Sequence, residues 1–172
     1  MIRVEADAGE EWDSRINWAE LSREAVRSAV EHSDRSALIA SPVAVEVSVK
    51  FTSDREVRAL NGNYRNKDKS TNVLSFPMVE PELIDSIAAS GGGEALLGDI
   101  VLAHGICAAE AAERHVSVEA HASHLVVHGT LHLLGYDHEE GEAEADSMEA
   151  VERSALAALG IPDPYSVTEV QT

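Results

Sequence analysis

The sequence predicts a single α/β domain with about four strands, and three observations support this prediction. The chain has 172 residues, of which 44% are hydrophobic and 26% are charged, as in one soluble globular domain. Segments with strand periodicity are interleaved with segments of helical periodicity. A single cysteine, Cys107, excludes an internal disulfide framework and any multi-cysteine zinc site. We expect the domain to cover residues 1–162 and residues 163–172 to form a flexible tail.

The strand predictions depend on alternation of apolar and polar residues. Residues 43–51 alternate between valine or phenylalanine and mostly polar residues, which is typical of a half-buried strand. Pro77 limits another strand, which begins at Asn72. The four predicted strands are residues 2–7, 43–51, 72–78 and 97–103.

Helices are predicted where apolar residues recur at helical spacing. Ser53 stands three residues before Glu56, a capping-box pattern that begins a helix ending near Leu60. The other predicted helices are residues 17–33, 104–114, 119–134 and 142–159. Two segments are predicted to lack regular structure: a polar loop over 61–71 and a mobile connection over 79–96.

The charge is strongly negative but unevenly distributed. Thirteen Lys and Arg against 31 Asp and Glu give a net charge of −18, which on average repels nucleic acid and anionic membranes. Residues 50–69, which we name the basic window, instead hold six basic and three acidic side chains. Any contact with a polyanion is expected there. The chain lacks an apolar run of the roughly 18 residues that a membrane span needs, and it has no secretory signal, so a cytoplasmic location is expected.

The histidines are concentrated in one region of the chain. Seven of the eight lie between positions 104 and 138. His128 and His132 are four residues apart on a predicted helix, so both imidazoles lie on one face and can chelate one ion. Gly135 suits the left-handed turn that ends a helix and would return His138 to the same ion. Three imidazoles leave an open fourth position on a tetrahedral Zn²⁺, as in catalytic zinc sites.

Other interpretations of these histidines are less consistent with the spacing. A single histidine on an apolar helix face is usually a packed residue with one hydrogen bond. A structural zinc site usually contains thiolates, and the cluster contains none. His121 and His124 share the helix face of His128, and for them a packing or surface role is favoured over a role beside the metal or substrate.

The residue after the first histidine argues against a peptidase. In zinc peptidases with two histidines at this spacing, a glutamate follows the first histidine and acts as the general base. Gly129 stands at that position. A metal-activated water acting on an anionic substrate therefore fits the sequence better than peptide hydrolysis.

Three motifs together resemble the YbeY family, the bacterial ribosomal-RNA maturation factors also described as rRNA maturation RNases. The motifs are HGTLHLLGYDHE over 128–139, NxxYRxKDKSTNVLSFP over 61–77 and LGDIV over 97–101. Their order and spacing extend the resemblance over about residues 40–160. The resemblance implies an α/β (α+β) zincin-like domain whose mixed sheet packs with helices. Its three-histidine site would lie on a helix and the following turn.

The resemblance also implies a function and assigns residues to it. It implies one Zn²⁺ ion held by His128, His132 and His138, and a phosphate-binding role for Arg65 in the YR step. The implied activity is single-strand-specific endoribonuclease cleavage in the maturation of the small-subunit rRNA 3′ end and in ribosome quality control. The implied partners are single-stranded RNA, ribosomal RNA and small-subunit proteins, with no membrane or DNA.

Two residues of the second motif depart from the family pattern, and His124 stands where the family tends to have an apolar residue. Ser70 stands where the family usually has proline, and Asn72 where it usually has aspartate. Neither is a predicted metal ligand. The first departure is expected to loosen the loop, and the second removes a carboxylate near the site.

The mechanism and the alternative functions stay open at the level of sequence. Either a metal-activated water or the RNA 2′-hydroxyl could attack the phosphorus, and no general base is assigned. Asp137 and Glu139 flank His138 and are candidates to orient a ligand or accept a proton. Two other functions are a zinc-stabilised ribosome assembly factor with little catalysis of its own, and a metal-dependent hydrolase of another substrate. The small supply of basic residues favours ribosome-assisted binding of RNA over independent tight binding.

Overall fold

The computed structural model describes residues 1–137 and 141–165. The strands are β1 (Ile2–Ala8), β2 (Ala44–Thr52), β3 (Val73–Pro77) and β4 (Glu94–Ala103). The helices are α1 (Trp18–His32), α2 (Ala37–Ala40), α3 (Asp54–Arg65), α4 (Pro81–Ala88), α5 (His104–Arg114), α6 (Val118–Leu133) and α7 (Glu142–Ala158). The predicted α/β class with a four-stranded sheet is confirmed.

The four strands form one mixed sheet in the order β1-β2-β4-β3. β2 pairs in parallel with β1 and β4, whereas β3 pairs antiparallel with β4 and forms an edge. The valines of β2 that alternate in the sequence are all buried, as their period of two requires. The sequence therefore places the apolar side of this central strand correctly.

The two faces of the sheet carry hydrophobic cores of different size. On one face, α1 and α6 pack against the strands, and this core includes Val47, Ile100 and Leu131, each 0% exposed. On the other face, α3 covers a smaller core of Val57, Leu74, Val101 and Ala103. The ligand-bearing helix predicted from the sequence is thus the buried centre of the larger layer.

Two segments that were predicted to be irregular contain helix or strand. The helix after Ser53 continues to Arg65, so the predicted loop over 61–71 is wrong at its start. Asn61 is 2% exposed, and its side-chain Nδ2 donates to the Lys69 carbonyl at 2.9 Å. The segment 79–96 contains α4, with Pro81 in its first turn and Ile84 buried, and also the first residues of β4. Both segments bury a side chain in regular structure, against the polar composition of the first and against Pro81 and the glycines at 91–93 in the second.

The carboxyl end of the domain extends past α7. Asp163 forms an ion pair with Arg153 at 3.1 Å, and the Arg153 guanidinium lies 5.5 Å from the ring centre of Tyr165. The described chain thus stays in contact with α7 as far as Tyr165. The remainder of the predicted tail, residues 166–172, lies outside the described residues, and the boundary at residue 162 stays a prediction.

Candidate metal and phosphodiester site

Helix α6 carries the two histidines that the sequence places on one face. Ser117 caps the helix by accepting a hydrogen bond from the Ala120 amide at 3.1 Å. The last turn ends at Gly135, whose φ of 101° lies in the region that only glycine adopts without strain. The predicted turn after the helix is therefore present. His138 lies outside the described residues, so its predicted return to the site is still a prediction.

The imidazoles of His128 and His132 point toward each other. Their Nε2 atoms are 3.0 Å apart, and the ring centres are 4.6 Å apart. Nitrogens that share one tetrahedral zinc ion at about 2.0–2.1 Å would be separated by about 3.3 Å. The spacing of the two rings thus fits a shared ion.

The outer nitrogens of both rings face acceptors that cannot donate. His128 Nδ1 donates to Glu152 Oε1 at 3.1 Å, and His132 Nδ1 donates to the Tyr136 carbonyl at 2.9 Å. Both Nδ1 atoms must therefore carry the proton, which leaves the Nε2 atoms of neutral rings with lone pairs directed at each other. Two such lone pairs need a shared positive charge between them, either a proton or a metal ion. Histidine ligands of metals have this pattern, with the outer nitrogen bonded to a carboxylate or a backbone carbonyl.

Glu152 connects helix α7 to two histidines of α6. Its side chain is 1% exposed, and its Oε2 accepts from His124 Nε2 and from the Tyr165 hydroxyl, each at 2.9 Å. Burial by itself would raise the pKa of Glu152, but hydrogen bonds from His124 and His128 outweigh it and lower the pKa to about 2. Burial and the nearby carboxylate of Glu152 raise the pKa of Tyr165, so its hydroxyl stays a donor.

His121 and His124 are both buried on α6, and each bonds a carboxylate of a neighbouring helix. His121 is 4% exposed, and its Nε2 bonds Glu110 at 2.8 Å. Burial lowers the pKa of His121 despite that hydrogen bond, so the neutral ring is favoured. His124 Nε2 is occupied by Glu152, so neither ring turns its Nε2 toward the His128–His132 pair.

Asn72 has a physical reason to replace the aspartate that is usual at its position. Its side-chain amide donates to Glu110 Oε1 at 3.0 Å, the oxygen that also bonds His121. An ionised aspartate could not donate and would repel Glu110. Ser70, the other departure, donates its hydroxyl to the Asp54 carbonyl at 3.1 Å, which ties the loop to the start of α3. The expectation that Ser70 loosens this loop is thus offset by a new hydrogen bond.

Arg65 is the last residue of α3 and is exposed. Asn66 follows with a φ of 56°, and this left-handed residue ends the helix. The neighbouring Tyr64 is 72% exposed and packs edge-on against Phe76 of β3, with ring centres 5.8 Å apart. Among the described residues, Arg65 contacts neither imidazole. The structure thus brings the end of α3 to the edge strand β3 through Tyr64, the residue before Arg65.

Strand β3 is contacted by α3 and by α6 from opposite sides. Phe76 faces α3 on one side of the sheet, whereas the Ser75 hydroxyl on the other side donates to the Gly129 carbonyl of α6 at 3.2 Å. Gly129 also sits close to the sheet: a β-carbon there would lie 2.8 Å from Ile100 Cγ2. The position that holds the general base in zinc peptidases thus faces the core, where a glutamate side chain has no room.

Sequence reasoning missed Glu152 and left Asp137 as a candidate. Glu152 is one of five acidic residues in α7, so only its burial distinguishes it. Asp137 is half-buried after the turn that follows α6, and Glu139 lies outside the described residues. Within the described residues, no group of three or more His, Cys, Asp or Glu side chains is arranged to hold a metal ion. The same part of the chain contains no helix long and apolar enough to cross a membrane.

Comparison with known proteins gives consistent matches. The family model described as endoribonuclease YbeY matches residues 9–160. Proteins named endoribonuclease YbeY from Rhizorhabdus wittichii and Novosphingobium aromaticivorans are 53% and 51% identical over 169 residues. These alignments cover 98% and 96% of this chain and 99% and 97% of the relatives.

A solved structure supports the fold independently. The solution structure of TM1509 from Thermotoga maritima matches with a TM-score of 0.53 and 23% identity, and covers 92% of this chain and 91% of that chain. At this identity the likeness concerns the fold alone. The sequence resemblance is confirmed by the family model and the relatives, and the chain belongs to the endoribonuclease YbeY family.

Proposed function

We propose that this protein is a metal-dependent endoribonuclease that cleaves single-stranded RNA during maturation of ribosomal RNA. The observation that carries the proposal is the pair of Nε2 atoms in α6, which face each other at 3.0 Å with both outer nitrogens bonded to acceptors. Membership of a family whose members are named endoribonucleases supports the reaction class.

In this proposal, His128, His132 and His138 hold one Zn²⁺ ion. The bound ion would supply Lewis acidity and make water acidic near neutral pH. The neutral imidazoles suit a divalent cation because each keeps its proton on Nδ1 and offers Nε2 as a ligand. His138 is assigned by the resemblance.

Arg65 is proposed to bind the phosphate of the RNA. Its guanidinium is exposed at the end of α3, and a planar fork can contact two phosphate oxygens. Tyr64 beside it is 72% exposed and offers a face on which a base could stack. One arginine and one aromatic ring provide a weak, sequence-independent contact, and the net charge of −18 opposes tight binding. We therefore propose that ribosomal RNA is bound with help from small-subunit proteins in the cytoplasm.

The experiment compares RNA cleavage and metal content in the purified wild-type protein and His132→Ala. The variant should lose both, whereas His32→Ala, which removes an exposed histidine from the end of α1, should keep both. If the metal-free wild-type protein cleaved RNA as well as the metal-loaded protein and His132→Ala did not cleave, the proposal would be refuted. Equal cleavage by all three samples would indicate contamination by another nuclease.

A second pair of variants tests Arg65. Arg65→Ala should abolish cleavage while leaving the metal content of the wild type, because the side chain is not a ligand. Arg55→Ala removes the same charge from an exposed position of the same helix and should keep most of the activity. Turnover of a peptide or a small phosphoester with RNA inert would instead identify a hydrolase of another substrate. Normal ribosome association and complementation by an inactive variant would favour an assembly factor.

A further inference from the structure

The carboxylate of Glu152 is buried without an arginine or lysine beside it in any contact that the described residues form. Its side chain is 1% exposed, and its hydrogen-bond partners are two imidazoles and one phenol. A buried carboxylate is costly unless hydrogen bonds replace its water. The three donors therefore explain how Glu152 is tolerated, but the wild-type chain could avoid the cost with an apolar residue. A reason for keeping the charge is needed.

The two oxygens of Glu152 have different tasks. Oε2 accepts from His124 Nε2 and from the Tyr165 hydroxyl, and these two bonds fix the plane of the carboxylate. Oε1 is then held against His128 Nδ1 at 3.1 Å. Because a carboxylate oxygen cannot donate, the bond selects the tautomer of His128 with the proton on Nδ1 and directs Nε2 toward His132.

The two rings are oriented by different parts of the chain. His132 is fixed locally by the carbonyl of Tyr136, four residues later. His128 is fixed by Glu152, 24 residues later and on another helix. Without Glu152, the ring of His128 could rotate and the Nε2 atoms would lose their mutual alignment.

We propose that Glu152 is a positioning residue that holds His128 in the tautomer and orientation needed to bind a metal ion. His124 and Tyr165 hold the carboxylate in place, so the packing of α7 controls the metal affinity of α6. This inference rests on the metal site of the proposed function. Carboxylates that accept from a histidine ligand typically change metal affinity by roughly 10–100-fold when they are removed.

The test measures zinc affinity by competition with a chromophoric chelator, together with the visible spectrum of the Co²⁺ form. Glu152→Gln should bind Zn²⁺ roughly 10–100-fold more weakly, because the neutral amide holds the imidazole proton less strongly. Glu149→Gln removes a charge one turn earlier on the same helix, where Glu149 is 3.8 Å from Arg153, and should bind zinc like the wild type. Unchanged zinc affinity and an unchanged Co²⁺ spectrum in a folded Glu152→Gln protein would overturn the inference.

Further measurements keep the proposal testable if Glu152→Gln does not fold. Glu152→Asp keeps the charge but moves the carboxylate oxygens away from His128, so this variant should bind zinc more weakly than the wild type. A zinc affinity equal to that of the wild type would overturn the inference. In the wild type, NMR should show a proton on His128 Nδ1 before zinc is added; an Nδ1 without a proton would also overturn the inference. A wild-type protein that binds no zinc would refute the proposed function. A zinc affinity that stays the same when Glu152 is substituted would refute only this inference.

Discussion

The close contact between Gly129 and the sheet predicts the effect of adding one methyl group. A β-carbon built on Gly129 would lie 2.8 Å from Ile100 Cγ2 and 3.1 Å from Ser75 Oγ, whereas ordinary contacts begin near 3.4 Å. Ile100 is 0% exposed in the core, so its β-branched side chain has little freedom to move away. Gly129→Ala is therefore an overpacking substitution within helix α6.

The magnitude follows from two opposing contributions. Overpacking a core typically costs about 1–3 kcal/mol. Replacing glycine by alanine inside a helix favours folding by about 1 kcal/mol. We expect Gly129→Ala to lower the free energy of unfolding by about 1 kcal/mol, which corresponds to a Tm decrease of about 2–4 °C in a chain of this size.

Gly62→Ala is the matched control. Gly62 also lies within a helix, α3, but a β-carbon there would meet no atom within 4 Å. This variant should gain stability by up to about 1 kcal/mol from helix propensity alone. The difference between the two variants isolates the overpacking cost, because helix propensity contributes equally to both.

Urea unfolding followed by circular dichroism measures both variants against the wild type. Opposite signs are expected, with zinc affinity also reduced in Gly129→Ala because the neighbouring His128 moves with the helix. If Gly129→Ala were stabilised as much as Gly62→Ala, the argument that the sheet leaves no room for a side chain at this position would be wrong. The explanation for the missing peptidase base would then fail with it.

The remaining predictions concern the Asn72 network, the buried thiol and the metal. Asn72→Asp should lower the free energy of unfolding by about 1 kcal/mol at pH 7, because the new carboxylate faces Glu110. The loss should be smaller at pH 4, where carboxyls begin to be protonated. In the same urea titrations, Asn63→Asp at an exposed position should change the free energy of unfolding little. Equal losses at both pH values would contradict this charge argument. Burial raises the pKa of the Cys107 thiol to about 12. At pH 8 a thiol reagent should therefore react with Cys107 only after denaturant is added. Rapid reaction with the native protein would contradict the burial of this side chain. In calorimetry, a chelator should lower the Tm of the zinc-loaded protein by roughly 5–10 °C, because a ligand at 100 times its Kd stabilises the folded state by about 2.7 kcal/mol. An unchanged Tm would mean that the metal does not bind the folded state.

Helix α6 shows how much of the site local sequence determines. The spacing of His128 and His132 places both rings on one face whatever the rest of the chain does, because the period of a helix is fixed. Gly135 ends the helix with a positive φ, which local sterics reserve for glycine. The valine alternation of β2 likewise predicted its buried side. In each case the determining interactions lie within a few residues.

Other features depended on residues that are distant in the chain. Asn61 is buried in the extension of α3 and Ile84 is buried in α4, so two segments predicted to be irregular are helical where the rest of the fold buries a side chain. The order β1-β2-β4-β3 places α3, through Tyr64, and α6, through Gly129, on opposite faces of one edge strand. No local pattern carries that information.

The sequence by itself determined the pair of helical histidines, the turn that follows them and the family of the chain. Only the tertiary structure selected Glu152 from the acidic residues of α7, because its role arises when α7 packs against α6 and buries one carboxylate beside His124 and His128. Hydrogen bonds between helices depend on how those helices pack, and that packing is a property of the whole core.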